Sequence, residues 1–404
     1  MISIGIDVSK GKSLAFGMDE NGVILLSPQE FEHTQEGLHA LIQAILALPE
    51  TPRVTLENTG FYHLPVVLPL LDAGIFVSVV NPILTSKFSK TKMRPGKTDK
   101  LDAMSICRFG LAHWSQLTPY LPPEQARQTL QLYSRHYHQS MKLMTKQKVN
   151  FHALLDKVMP GICTLLCDQA GRSKLSDFAM EFWHFDNINS SKETTFVKRY
   201  AKWIQKKGYR MNESKAKSIY ALSQNAIPLL PCSKSTQFLV WEAARTLKLL
   251  EESTNSILTQ MQDLASSLPE FPIVCSMKGA GPKTAPRLIA EIGDVTRFHS
   301  ASALIAYAGL DAPPFQSGMF ESSQRRISKR GNKYLRKVGY ETMASLMSNK
   351  PQQDNAVYLF ICKKQAEGKH SRSAYMAGLN KFLRIYYARV KQQIQHDHHM
   401  NQTS

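Results

Sequence analysis

Residues 2–8 read ISIGIDV, and this stretch sets the expected fold of the first part of the chain. It is short, β-branched and apolar, which is typical of a buried β-strand. Its only charged residue, Asp7, stands near the end of the predicted strand. A carboxylate is costly to bury there unless a partner or a metal ion compensates for it. Asp7 is therefore a candidate functional residue.

The segments that follow predict a mixed α/β sheet domain over residues 1–120, because strands come first and strand and helix then alternate. Apolar spacing, β-branched runs and turn residues mark the elements. The predicted elements are two strand-like runs within 13–27 around the turn DENG, a helix at 35–48, a strand at 53–60, a helix at 62–74, a strand at 75–82, a basic loop and a helix at 97–111.

The remainder of the chain is predicted to be mainly helical. Long helices are expected from about residue 123 to 158 and over 236–265, and the two could pair as antiparallel, coiled-coil arms that support oligomerisation. The expected divisions are a helical region at 121–267, a C-terminal domain at 268–350, and helices with a disordered tail at 351–404. Segment 165–250 carries no motif that indicates a function.

Composition points to a nucleic-acid partner. The 404 residues carry a formal net charge of +18 and are 43% hydrophobic, with no run as long as a membrane span. Ribosomal, membrane-surface and heparin-binding proteins share such a charge, so the signal alone is weak. We expect a soluble, cytoplasmic protein associated with the prokaryotic nucleoid. The six scattered cysteines are expected to be free thiols rather than zinc ligands.

Four acids form the main candidate site. Asp7 and Glu57 lie in apolar strands, and Asp99 and Asp102 share one face of a helix because they are three residues apart. If the strands are neighbours and the helix packs across their ends, the four carboxylates meet and repel one another unless cations neutralise them. Two Mg²⁺ ions are the usual solution at a phosphodiester. Taken singly, Asp102 would be an exposed helix acid and Asp7 a turn residue.

The motifs GIDVSK, LENTGFY, VVNP and KTDKLDA resemble the N-terminal domain of the IS110/IS1111-type, or DEDD, transposases of insertion sequences. That resemblance implies a ribonuclease H-like, RuvC-like sheet whose four acids bind divalent metal. The matching positions are Asp7, Glu57, Asp99 and Asp102.

A second motif, SMKGAGPKTAPRLIAEIG at 276–293, has the form of a helix-hairpin-helix, with Pro282 expected to start the second helix. Glycines let backbone amides approach a phosphate, although a plain packing turn has the same pattern. A dense basic run follows, suited to phosphate contacts, and a solvated basic face is its alternative reading. The candidate nucleic-acid-binding residues are Lys278, Gly279, Gly281, Lys283, Arg325, Arg326, Lys329, Arg330, Lys333 and Arg336.

Ser317 lies between these motifs, directly before Gly318. A loop serine is usually only a turn former. However, YAGL, SG and RRISKRGNKYLR resemble the C-terminal, IS116/IS110/IS902-type domain of the same transposases, and this resemblance implies that Ser317 is the recombination nucleophile. Neighbouring rivals are Ser322, Ser323 and Ser328.

The resulting hypothesis is a transposase or site-specific recombinase that cuts and rejoins DNA with a metal-binding acid cluster and a serine. The resemblance further implies a homo-oligomer and an element-encoded guide RNA. One alternative is a Mg²⁺-dependent, RuvC-like nuclease that activates water and uses Ser317 only structurally. Another is a nucleic-acid-binding protein whose acids are structural.

Overall fold

The structure is a computed structural model that describes residues 1–58, 62–89, 98–120, 124–166, 174–312, 316–317, 320–321 and 326–403. Side chains are described for these except at 89, 316–317, 320–321 and 396–403. The chain divides into two compact units, Met1–Pro122 and Pro123–Ser404. Within the described residues, no helix is long and apolar enough to cross a membrane.

The first unit contains a five-stranded mixed sheet with the order β3-β2-β1-β4-β5. Neighbouring strands β1, β2 and β3 are antiparallel, whereas β1, β4 and β5 run parallel. The predicted mixed sheet is therefore confirmed. Its strands are β1 (Ile2–Val8), β2 (Lys12–Asp19), β3 (Ile24–Glu32), β4 (Arg53–Glu57) and β5 (Phe76–Val80).

Helices connect the parallel strands and cover both faces of the sheet. One face carries the apolar residues Ile4, Ile6, Val54 and Leu56, which share a buried core with the first two helices. The last helix of the unit covers the other face. The helices are α1 (Gln35–Leu46), α2 (Leu64–Asp72), α3 (Pro82–Ser89) and α4 (Asp99–Ala112).

The second unit is almost entirely helical in its described residues. Its long helices α5 and α11 confirm the two long helices expected from the sequence. The elements are α5 (Gln125–Val158), α6 (Ile162–Leu166), α7 (Lys174–Glu181), α8 (Phe185–Asn189), α9 (Glu193–Lys207), α10 (Glu213–Asn225), α11 (Lys234–Ser266), α12 (Phe271–Ser276), α13 (Ala285–Ile292), α14 (Ala301–Ala308), β6 (Gln316–Ser317), β7 (Phe320–Glu321), α15 (Lys333–Asn349), α16 (Ala356–Ala366) and α17 (Ser371–Thr403).

Helices α5 and α11 pack side by side in opposite directions. The second half of α5 meets the first third of α11, where Gln147 Nε2 donates to the carbonyl oxygen of Ala243 at 3.3 Å. Nearer its start, Leu130 shares a buried core with Ala265, close to the end of α11. Coiled-coil geometry, oligomerisation and the predicted domain divisions stay predictions.

Two details of the predicted elements are wrong. The stretch after Asn81 was expected to be a loop, yet α3 begins there, because the Asn81 side chain accepts the amide of Ile83 at 2.9 Å and Pro82 suits a first helical position. The helix after the glycine turn begins at Ala285 rather than Pro282. Residues 281–284 instead form a turn, in which the carbonyl oxygen of Gly281 accepts the amides of residues 284 and 285.

The five cysteines that the structure describes form no disulfide bonds. Their predicted lack of a zinc ion stays a prediction. Cys167 lies outside the described residues.

Candidate active site

Asp7 and Glu57 stand at the carboxyl ends of two neighbouring parallel strands. Strands β1 and β4 pair Gly5 with Thr55, and Asp7 and Glu57 each lie two residues further along. Because side chains alternate along a strand, both carboxylates share the sheet face of Gly5 and Thr55. Helix α4 covers this face so closely that a Cβ on Gly5 would lie 2.2 Å from the carbonyl oxygen of Ala103.

Helix α4 brings the other two acids to the same edge of the sheet. Asp99 and Asp102 occupy the first turn of α4. The hydroxyl of Ser3, at the start of β1, donates to the carbonyl oxygen of Cys107 in the middle of α4 at 3.0 Å. Since Gly5 meets the helix one turn earlier, α4 runs antiparallel to β1, and its first turn reaches the end of the strand at Asp7. The structure therefore directs all four predicted acids to one edge of the sheet, which we name the acidic edge.

Electrostatics agree with this placement. The pKa of Lys12, at the start of β2, is raised first by its hydrogen bond to Glu30 and to a smaller extent by the charge of Asp99. Strand β2 follows directly from β1, so Asp99 lies within electrostatic reach of the strand ends. Asp99 is exposed, whereas Asp7, Glu57 and Asp102 are half-buried. The positive end of the helix dipole also stabilises negative charge in the first turn of a helix. The same geometry would therefore fit a purely structural role for Asp99 and Asp102.

Sequence reasoning missed Thr85. This buried residue of α3 donates a hydrogen bond from its hydroxyl to Oε1 of Glu57, and the hydroxyl also lies 3.0 Å from the carbonyl oxygen of Pro82. It thereby orients one of the four acids. The pair Asn81-Pro82 was the available signal, because Asn followed by Pro marks the start of a helix as well as the end of a strand.

The acidic edge offers only oxygen donors, the ligand type that hard divalent cations such as Mg²⁺ prefer. Its carboxylates are not drawn together to ligand distance. Within the described side chains, only the group His184, Asp186 and Cys232 has three ligand atoms all within 4.8 Å of one another. Like charges separate unless a cation lies between them, so the donor set fits a divalent cation without being a closed cage.

The group His184, Asp186 and Cys232 lies in the second unit, and hydrogen bonds account for its histidine. His184 Nδ1 accepts the backbone amide of Asp186 at 3.1 Å, which caps helix α8. Its Nε2 lies 2.9 Å from the carbonyl oxygen of Leu230 and donates to it. Both ring nitrogens are therefore used, so the group carries no metal assignment.

Ser317 lies on β6, opposite Phe320 of β7 in a short antiparallel pair. Its side chain lies outside the described part of the structure, as do the rival serines at 322 and 323. The third rival, Ser328, has a structural role. Its hydroxyl donates to Oδ1 of Asp311 and accepts the amide of Arg330 at 3.3 Å.

The basic run continues from this point as a loop, residues 326–332, which we name the cationic loop; helix α15 follows it. Gly331 packs on the preceding helix end so tightly that a Cβ there would lie 2.2 Å from the carbonyl oxygen of Tyr307. The amide of Asn332 donates to that same carbonyl oxygen at 2.7 Å. The motifs YAGL and RGN thus belong to one packed backbone unit.

Glu291 anchors the cationic loop, and sequence reasoning missed this residue. It is 1% exposed, and its Oε2 accepts the side-chain amide of Asn332 at 2.9 Å while its Oε1 accepts the hydroxyl of Ser134 at 2.9 Å. Burial raises the pKa of Glu291, although these two hydrogen bonds and the charges of Arg135 and Arg287 oppose the shift. The sequence contains no signal for this role. Whether a glutamate in an apolar helix is buried depends on the groups that surround it in space, and these come from distant parts of the chain.

The predicted nucleic-acid contacts separate into two groups. Arg336 is half-buried and donates to the carbonyl oxygens of Ala308 and Gly331 at 2.9 and 3.0 Å, and burial lowers its pKa. It holds the cationic loop in place. Arg325 lies outside the described residues. The remaining predicted cations are exposed: Lys278, Lys283, Arg326, Lys329, Arg330 and Lys333.

The two glycines of the predicted hairpin also differ. Gly279 has a φ of +91°, and a Cβ there would lie 2.7 Å from the carbonyl oxygen of Thr342 in α15. Its glycine identity is thus explained by packing. No atom lies within 4 Å of a Cβ built on Gly281, so packing does not require glycine there. The Gly281 amide already donates to Thr284 Oγ1 at 3.0 Å, so its contact with phosphate stays a prediction.

Two family models match the chain. Residues 4–160 match the transposase model of the DEDD IS110 type, and residues 272–358 match the transposase IS116/IS110/IS902 family. Together these matches span more than half of the chain, and they include all five predicted catalytic positions. The chain belongs to the IS110-type family of transposases.

Curated relatives match along nearly the whole chain. The 44.8 kDa protein of insertion element IS116 from Streptomyces clavuligerus is 23% identical over 391 residues, which is 96% of this chain and 94% of that protein. The pilin gene-inverting protein of Moraxella bovis is 23% identical over 392 residues, which is 96% and 95% of the two chains. A solved structure of T. thermophilus RuvC in complex with Holliday junction substrate aligns with 30% of this chain and 99% of its own, at 14% identity and a TM-score of 0.24.

Proposed function

We propose that this transposase cleaves and rejoins DNA through a covalent phosphoserine link formed by Ser317, assisted by divalent cations at the acidic edge. The observation that carries the proposal is the meeting of two parallel strand ends, at Asp7 and Glu57, with the first turn of α4, at Asp99 and Asp102. Four carboxylates from three elements at one edge are unfavourable together unless cations occupy the space between them.

The acids would hold Mg²⁺, and Thr85 would keep Glu57 in the orientation needed for it. When bound, such cations neutralise charge at a phosphodiester and polarise its oxygens. Cys107 is buried in α4 behind these acids, where burial raises the pKa of its thiol to about 11. At neutral pH this thiol is protonated, so it does not compete with the carboxylates as a metal ligand.

In the proposed step, Ser317 Oγ loses its proton and attacks the phosphorus. The Oγ–P bond forms and a P–O bond to the leaving deoxyribose breaks, and that oxygen takes up a proton. The link retains the energy of the phosphodiester, so a deoxyribose hydroxyl can later reverse the attack and rejoin DNA without ATP. Because a serine hydroxyl is a weak nucleophile at its ordinary pKa, the reaction needs both Ser317 and the acids.

The partners are DNA, namely the element ends and the target, and an element-encoded RNA that guides the choice of target. A homo-oligomer would bring two DNA partners together for exchange. The formal charge of +18 is compatible with both nucleic acids.

A covalent-trapping assay tests the proposal. Wild type, Ser317→Ala and Asp102→Ala proteins are incubated with Mg²⁺, the element's end junction and RNA transcribed from its flanks, and denaturing gels then detect DNA-linked protein. We expect a link with wild type that is absent from Ser317→Ala and strongly reduced in Asp102→Ala. Ser328→Ala is the matched serine control, since its hydroxyl already bonds Asp311; it should still form the link if it folds.

Cleaved DNA without any link, unchanged by Ser317→Ala, would replace this proposal with a RuvC-like nuclease that activates water. Mg²⁺-independent binding without cleavage of any substrate would refute both enzymatic functions.

A further inference from the structure

A large open cleft lies beside the cationic loop in the second unit. Its volume is about 1200 Å³, and it lies between the loop, helix α15 and the two C-terminal helices α16 and α17. The sequence left residues after 350 without a role, and the matched family segment ends at residue 358. The cleft therefore joins residues predicted to bind nucleic acid with residues that no motif assigns.

The lining is strongly and uniformly basic. Nine of its residues are Lys or Arg, and none of the described lining residues is Asp or Glu. The first four, from the segment predicted to be basic, are Arg326, Lys329, Arg336 and Lys337. The other five come from the C-terminal helices and the turn between them: Lys364, Lys369, Arg372, Lys381 and Arg384.

The helical period of α17 places two of its cations on the cleft side. Lys381 and Arg384 share one helix face with Ser373 and Ala377, at intervals of four, four and three residues, and all four line the cleft. Arg372 lines the cleft from the first turn of the helix. The opposite face buries Phe382 and Leu383 in the core. This division into a buried apolar face and a basic face shows why the helix can concentrate charge without weakening its packing.

Contacts within the cleft hold these cations in position. Gly378 of α17 meets α16 so closely that a Cβ there would lie 2.4 Å from Ile361 Cγ1. At this close crossing the ring of Phe360 lies 5.5 Å from Lys364 Nζ and 5.0 Å from Lys381 Nζ. One aromatic ring thus attracts two ammonium groups and keeps them near each other despite their repulsion.

Little of this charge is neutralised by the protein. Lys364 forms an ion pair with Glu367 at 2.7 Å, and Lys337 lies 3.9 Å from a carboxylate oxygen of Glu341. Arg384 donates to the neutral side chain of Asn380 at 3.1 Å, and Arg372 is exposed. A cleft with so many like charges raises the local concentration of anions, and a polyanion with regularly spaced phosphates can neutralise several of them together.

The cleft also has a short chain connection to Ser317. Ala312 and Arg326 both line it, and the β6–β7 pair lies between them in sequence. Ser317 is five residues from Ala312, and five residues of extended chain span at most about 18 Å. Nucleic acid bound in the cleft therefore lies within reach of the proposed nucleophile.

We propose that this cationic cleft binds the phosphodiester backbone of the DNA on which Ser317 acts, and that α16 and α17 supply half of its contacts. The identity of the bound strand as the reacting one rests on the proposed function; the binding itself does not. Phosphate contacts of this kind position DNA without reading its sequence.

The test compares two charge-matched triple variants of the full chain. R372Q/K381Q/R384Q removes three cations of the cleft, and K198Q/K202Q/K206Q removes three exposed lysines from one face of α9. Binding of a labelled element-end duplex is measured by fluorescence anisotropy in EDTA, so that cleavage does not contribute. Circular dichroism and thermal unfolding check that both variants are folded.

We expect the cleft variant to bind duplex DNA roughly 10- to 100-fold more weakly at about 0.15 M salt, and its log–log salt slope to be shallower by about 2 to 3. The α9 variant should change the affinity less than about 3-fold. Equal losses in the two variants, or unchanged DNA binding by a folded cleft variant, would overturn the proposal.

Two further measurements distinguish failure of the cleft proposal from failure of the proposed function. If the cleft variant loses affinity for the flank-derived RNA but keeps its affinity for the duplex, the cleft is an RNA site and the proposal is wrong. Ser317→Ala is measured alongside and should bind the duplex as wild type does. If covalent trapping fails while the cleft variant still loses DNA affinity, the proposed function fails and the DNA-binding cleft stands.

Discussion

The acidic edge of the first unit and the cationic loop of the second are held in place by different means. Regular secondary structure positions the acids, because each stands at the end of a strand or the start of a helix, and three of the four side chains are half-buried. Tertiary contacts position the loop, through the buried carboxylate of Glu291 and the backbone of Tyr307.

The difference teaches which part of the site depends on a ligand. In the proposed function, the four carboxylates would come to ligand distance only with cations between them, because like charges repel. The cationic loop is fixed by contacts within the protein, including the carboxylates of Glu291 and Asp311 and the guanidinium of Arg336. Its basic side chains are therefore presented before any nucleic acid binds. The following variants test this contrast.

Asp102→Asn should have the largest effect. The substitution keeps the shape of the side chain but removes a charge from the acidic edge. DNA cleavage should fall by more than about 100-fold, because mutation of residues that only orient a metal ligand already lowers metal affinity or activity by about 10- to 100-fold. Gel-based cleavage rates at saturating Mg²⁺ measure the effect. Asp72→Asn, at the end of α2, is the control and should retain activity; equal losses in both would assign the effect to net charge.

Thr85→Val should have the next largest effect, a loss of roughly 10- to 100-fold in Mg²⁺ affinity or cleavage rate. The change removes the donor to Glu57 but keeps the buried volume. Titration of cleavage with Mg²⁺ measures it, and Thr85→Ser, which retains the hydroxyl, should recover most of the activity. A fully active Thr85→Val would mean that the strand alone orients Glu57.

Gly279→Ala should destabilise the second unit by about 1 to 3 kcal/mol, because the new Cβ meets the Thr342 carbonyl oxygen at a backbone φ of +91°. The midpoint of denaturant unfolding measures the change. Gly281→Ala is the matched control, with open space around its Cβ, and should leave stability nearly unchanged. Weaker DNA binding by folded Gly281→Ala would support a backbone contact to phosphate at that glycine.

Glu291→Gln should produce the smallest effect, a change in pH dependence. Burial raises the pKa of Glu291 in the folded state above its ordinary value of 4.5, so folding favours the protonated acid. Its contribution to stability is largest below the unfolded-state pKa and is lost as pH rises through the raised folded-state pKa.

Unfolding free energies of wild type and Glu291→Gln, compared between about pH 4 and pH 7, measure this dependence. The wild type should lose stability relative to the variant as pH rises, by at most about 1.4 kcal/mol per pH unit. Glu252→Gln, an exposed position on α11, is the control and should follow the wild type. Parallel curves for wild type and Glu291→Gln would show that the carboxylate is fully compensated by its neighbours.

Much of the first unit was predictable because its signals are local. Strand β1 follows from its short run of apolar, β-branched residues, and helix α4, predicted at 97–111, spans Asp99–Ala112. Their acids keep their positions once the strands pair. Thr85 was missed because α3 is short and its start signal, Asn-Pro, is shared with turns. Ser317 was identified through its motif, and its role stays a prediction.

The second unit was less predictable for a physical reason. The basic run indicated a nucleic-acid interface, but it did not distinguish Arg336, which bonds backbone carbonyl groups, from exposed Lys329 and Lys333. Nor did it indicate the cationic cleft, since Lys381 and Arg384 face Arg326 and Lys329 across the cleft from more than fifty residues away in sequence.

By itself the sequence determined the mixed sheet, the order of its four acids and the two long helices, because apolar period and turn residues act over a few neighbours. Only the tertiary structure decided which charges are buried and which are exposed. That distinction depends on the groups that surround a side chain in space, and those groups come from distant parts of the chain. Glu291 is the clearest case. It lies on α13, its burial raises its pKa, and it accepts hydrogen bonds from Ser134 of α5 and Asn332 of the cationic loop.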